Sequence, residues 1–140
     1  YKYYSGKSDL AGKMIADFKA EYSRYIITRF QAGSFDVFLN LMPEASDWIH
    51  SRRRLILALW KVDTRRHHLY RDMHKLIKQQ FLRFAHTLPN AAPSKDWDYQ
   101  ADMLATLILG SMSYFFSRDL PLRLPEVRQA WTEMSRLLLP

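Results

Sequence analysis

Histidines, paired carboxylates and a glycine–lysine–serine triplet are the residues here whose types and spacing could do chemistry. The histidines stand at positions 50, 67, 68, 74 and 86. His67 and His74 are two helical turns apart and His68 and Asp72 are one turn apart, so each pair could share a helix face. A zinc site needs three or four such ligands, and no HExxH or equivalent set is present. Surface histidines at a helix start explain the same spacing more simply. Asp96 and Asp98 sit in a loop-like stretch with Pro93 and Ser94, where solvated turn carboxylates are the ordinary reading. Gly6-Lys7-Ser8 looks like the end of a phosphate-binding P-loop. That motif needs a glycine five positions before Gly6, where Tyr1 stands, and a preceding strand, for which there is no pattern. Cysteine is absent, which excludes disulfides, thiolate metal sites and a cysteine nucleophile. No GxSxG occurs either. The expectation is a chain that is not an enzyme and carries no metal or cofactor.

Charge points to anionic partners. The 140 residues carry a formal net charge of +7, which favours nucleic acid, acidic small molecules or anionic lipid surfaces. The basic runs are Arg52-Arg53-Arg54 and Lys61…Arg65-Arg66. A solvated helical face is the commoner meaning of such runs. Consecutive helix residues are about 100° apart, so the arginine triplet cannot all face water. An inward arginine would need an anion or a carboxylate beside it.

The elements that position these groups read as helices. Hydrophobic residues make up 48% of the chain and glycines number 4, enough apolar material for one core and little strand-like alternation. A long helix is expected from Ser8 to about Ala32, stopping before Gly33, with Met14, Ile15, Phe18, Tyr22, Tyr25, Ile26 and Phe30 on its stripe. A short one is expected over Phe35–Leu41. Ser46 suits the start of the next, whose Trp48, Leu55, Ile56, Leu59 and Trp60 face inward. After a break near Asp63-Thr64, a helix carries Tyr70, Met73, Ile77, Phe81 and Phe84 on one side. Thr87 to Asp98 reads as a loop. Asp98 to Ser117 is apolar nearly all round, and its Gly110, Ser111 and Ser113 would let a neighbour approach closely. A last helix begins near Pro125. The longest uncharged run, Met103–Ser117, is shorter than the ~20 apolar residues of a membrane span. The N-terminus lacks the apolar run of a signal peptide. A cytoplasmic, bacterial chain without membrane contact is expected.

Surplus apolar surface on the last two helices suggests a self-associating pair, giving a four-helix bundle across a two-fold axis. The homodimer interface expected from it comprises Leu107, Gly110, Ser111, Tyr114, Val127, Trp131, Met134 and Leu138. Aromatic and Met side chains on the middle helices could line a mostly apolar pocket: Tyr25, Trp48, Trp60, Tyr70, Met73, Ile77, Tyr99 and Met103.

The opening segment Tyr1-Lys2-Tyr3-Tyr4-Ser5-Gly6-Lys7-Ser8-Asp9-Leu10 resembles the end of the helix-turn-helix domain in TetR-family transcription regulators. There an aromatic cluster closes the recognition helix, and a Lys precedes the long helix of the regulatory domain. The order of helices after residue 10 is similar to that family's regulatory half. The resemblance implies an all-α, TetR-like effector-binding and dimerisation domain over residues 8–140. Residues 1–7 would then be the end of a truncated DNA-binding domain. It also implies phosphate contacts from Tyr1, Tyr3 and Lys7, with base-reading residues upstream. The implied partners are a second copy, a double-stranded DNA operator and a small-molecule effector, anionic or aromatic. Repression relieved by that effector is the family's usual logic. A helical dimeric interaction module, or one binding lipid or an anionic ligand, without DNA binding, is the alternative.

Overall fold

The structure, a computed structural model, describes residues 6–30, 46–87 and 96–138. The chain is all-α: α1 is Lys7–Phe30, α2 Arg53–Trp60, α3 Leu69–Thr87, α4 Trp97–Ser117 and α5 Leu124–Leu138. A helical stretch over 46–51 leads into α2 and is set off from it by a turn at Arg52. Among the described residues the one β-type contact is an isolated bridge between Asp63 and His68.

Helical periodicity sets which face of each element is dry. On α1, Ile15, Phe18 and Tyr22 are buried, a spacing of three and four that keeps one stripe inward. Ile56 and Leu59 from α2 meet Leu69, Met73 and Ile77 from α3 in the same core. Burying each such aliphatic side chain contributes about 1.5–3 kcal/mol. Helices α3 and α4 form the most extensive contact. Its close approach rests on Ala101 and Ala105, both fully buried, with Leu109, Met112 and Phe116 continuing the stripe. Gly110, expected to admit a neighbouring helix, has open space where a Cβ would stand. Within the chain, the two alanines do that work.

Helix ends are set by local chemistry. The Gly6 carbonyl accepts the Leu10 N–H at 3.2 Å, so α1 is under way at Lys7. Asp96 is the N-cap of α4, its carboxylate accepting the Tyr99 N–H at 3.1 Å. After α4, the Asp119 N–H reaches the Phe116 carbonyl (3.2 Å) and the Leu120 N–H the Phe115 carbonyl (2.9 Å). This is the paired closure of a Schellman motif. It puts Asp119 at φ 55°, a left-handed position where glycine or asparagine is usual.

Among the described side chains of α5, Val127 is the buried one, 7% exposed, and Trp131 is half-buried, while Met134, Leu137 and Leu138 face solvent. The expected stop at Gly33, the short helix over Phe35–Leu41, most of the loop between Thr87 and Asp98, and the side chain of Ser8 lie outside the described residues.

Candidate functional site

An open cleft of about 310 Å³ lies along the contact of helices α1 and α3. Lys19, Tyr22 and Ser23 supply one wall. Asp72, Met73, Lys75, Leu76 and Gln79 supply the other. Each wall follows from helical spacing: these residues flank the buried stripe at offsets of three and four. Lys19 Nζ crosses the cleft to Asp72 Oδ2 at 2.9 Å. His68 Nδ1 lies 3.1 Å from Asp72 Oδ1 but off the hydrogen-bonding direction. Burial pushes the Tyr22 phenol far above its ordinary range, so it stays a neutral donor. The cleft thus offers the Lys75 ammonium, a serine, an amide and the Lys19–Asp72 pair on a lining of mixed polarity, with the Tyr22 phenol buried beneath it.

Of the residues expected to line a pocket, Met73 borders this cleft. The others fall into separate groups. Tyr25 stacks on Trp48 with ring centroids 4.4 Å apart, and Arg52 lies 5.7 Å from the Trp48 ring. Trp60 meets Tyr70 edge-on at 5.0 Å and directs its Nε1 at the Met73 sulfur, 3.2 Å away. Ile77 is core. Tyr99 and Met103 stand on the solvent face of α4, Tyr99 62% exposed. Lys19, Ser23 and Gln79 were not singled out from the sequence. The available signal was their place on the polar borders of two amphipathic helices expected to pack together.

The expected dimer residues are placed more coherently. Leu107, Gly110 and Tyr114 are exposed on one face of α4, in line with Tyr99 and Met103. Met134 and Leu138 are exposed on α5, and Ser111 and Trp131 are half-buried. Val127 is buried within the chain.

The basic runs separate by environment. Arg53 Nε binds Asp119 Oδ1 at 2.7 Å and its Nη1 donates to the His50 carbonyl at 3.1 Å. The inward arginine therefore has a carboxylate, as its charge requires, although that carboxylate is exposed. Arg53 beside Asp119 holds the Asp119 carboxyl below the usual range. Lys78 bridges Asp102 (3.2 Å) and Asp98 (3.3 Å), and Asp102 chiefly holds its ammonium above the lysine range. Arg54, Lys61, Arg65 and Arg66 are exposed.

His74 Nε2 contacts the Thr106 hydroxyl at 3.0 Å. No group of three metal-ligating side chains gathers among the described residues, and no described helix is long and apolar enough to cross a membrane. Lys7 is exposed at the first turn of α1. Tyr1 and Tyr3 lie outside the described residues. Comparison with family models, curated proteins and solved structures finds no match to the chain.

Proposed function

We propose that this chain is the effector-binding and dimerisation part of a ligand-responsive, DNA-binding transcription regulator of TetR type, acting as a repressor. The observation that carries the reading is the start of α1. A 24-residue helix opens at an exposed Lys7, directly after the aromatic segment that resembles the close of a helix-turn-helix domain. A lysine there can hydrogen-bond a phosphate and fix register on a duplex without reading bases. The exposed apolar residues on α4 and on α5 support a two-fold homodimer, which would set two reading heads about one helical turn of DNA apart. An effector seated in the α1–α3 cleft would favour one position of α1 relative to α3. It would weaken DNA binding to the extent that it prefers the state with the wrong head spacing.

The test is to express the whole reading frame containing these residues, select duplexes from fragmented source DNA and measure binding by fluorescence anisotropy. We expect a recovered sequence to bind well above a scrambled duplex, and Lys7→Ala to weaken both. A chain that dimerises but retains no duplex is an interaction module, and the regulator reading is then wrong.

A further inference from the structure

The turn between α2 and α3 presents two arginines on a hydrogen-bonded tip. The Thr64 N–H donates to the His67 carbonyl at 2.8 Å, and the His67 N–H donates to the Thr64 hydroxyl at 3.0 Å. With the Asp63–His68 bridge, these bonds leave Arg65 and Arg66 at the apex. Both are exposed, and neither has an ion pair or hydrogen bond among the described residues.

The placement of this tip is fixed by α1. The His67 ring packs so closely on Gly12 that an added Cβ would stand 2.5 Å from its Cε1. Gly12 is five residues after Lys7, or about 7.5 Å along the helix. The arginine tip therefore flanks the first turns of α1, on the same end as Lys7. Of the nearby carboxylates, Asp63 is bridged to Arg71 (3.1 Å) and Asp17 to Lys13 (2.8 Å). Asp9 is the exposed carboxylate left close to the start of α1.

We propose that Arg65 and Arg66 clamp the phosphate backbone of duplex DNA alongside the contacts made at the start of α1. This inference rests on the regulator reading and adds a binding element from the regulatory domain itself. Guanidinium groups suit phosphate because their planar fork matches its oxygens. Such a clamp reads no sequence, so it raises affinity for every duplex alike.

The experiment measures binding of the whole protein to its selected operator and to a scrambled duplex across a salt series. It compares wild type, R65A/R66A and R83A. Arg83 is exposed on α3, about 21 Å along that helix from its start at Leu69, and controls for loss of an arginine remote from the tip, to be compared per charge removed. The expected result is a double variant whose log affinity against log salt is shallower by about 0.9 per arginine engaged. Its ratio of operator to scrambled binding stays unchanged, and R83A behaves as wild type. A double variant with the wild-type slope, or an R83A variant with the same loss, overturns the clamp while leaving the regulator reading intact. Wild-type protein that binds no duplex but binds phosphatidylserine vesicles overturns both.

Discussion

At the scale of single residues, two contacts span long separations in the chain, and each makes a measurable claim. Gly12 is needed by the His67 ring. Replacing it with Ala gains about 0.5–1 kcal/mol of helix propensity and incurs an overpacking cost of about 1–3 kcal/mol. Gly12→Ala should therefore destabilise by roughly 1 kcal/mol. In an H67A background, where the ring is gone, the same change should stabilise, so a double-mutant cycle by urea denaturation should show strong coupling. Additive effects would mean that the ring simply swings aside. Asp119 is the second case. It takes a backbone position better suited to glycine, and its carboxylate holds Arg53. Asp119→Asn tolerates the left-handed backbone but loses the charge. Because the folded Asp119 pKa is lowered, the wild-type advantage should be full at neutral pH. It should shrink as pH falls below the ordinary aspartate value near ~3.9 and vanish below the folded value. A stability difference that does not change with pH would contradict this. The sequence called for a carboxylate beside an inward arginine but named neither partner: residues 12 and 67, or 53 and 119, leave no local pattern when the fold brings them together.

At the scale of elements, the period of apolar residues was enough to find the helices and, where one face was polar, to orient them. Ile15, Phe18 and Tyr22 were on the stripe read for α1, and Met73, Ile77 and Phe84 on that read for α3, and all are buried, whereas Met14 and Tyr70, read on the same stripes, sit at their edges and are exposed. Gln80, buried on α3, breaks the pattern and was not anticipated. Helix α4 shows where periodicity runs out. A helix apolar nearly all round carries no phase, so Tyr99 and Met103 could be assigned to a pocket although they stand on the outward face. The two faces of α4 should respond oppositely to added bulk. Ala105→Leu, pressed against the core, should cost about 1–3 kcal/mol. Gly110→Ala, in open space, should raise the stability of the separate chain by up to about 1 kcal/mol through helix propensity. Thermal melts of both variants at low protein concentration would check the pair, and a destabilised G110A would mean that this face is packed after all.

At the scale of the whole molecule, the outstanding feature is the apolar surface left on α4 and α5. On the proposed homodimer this surface closes against a second copy. Met134→Glu with Leu138→Glu should then weaken association at least about 100-fold, since each buried aliphatic contributes about 1.5–3 kcal/mol. Sedimentation velocity of the variant should give a monomer where wild type gives a dimer. A wild-type chain that stays monomeric at high concentration removes the two-fold arrangement on which the reading depends. The surplus of apolar residues on the last two helices made this surface legible in the sequence, but its partner was not, because an apolar face does not encode what covers it. The slender anchorage of α5 has one further result. With Val127 the one buried side chain among those described on it, the last helix would draw much of its order from its neighbour in the dimer. Cellular abundance would then set how often that helix is frayed and open to proteases. A poorly expressed copy would be cleared faster than a plentiful one, so the protein's lifetime would depend on its own dose.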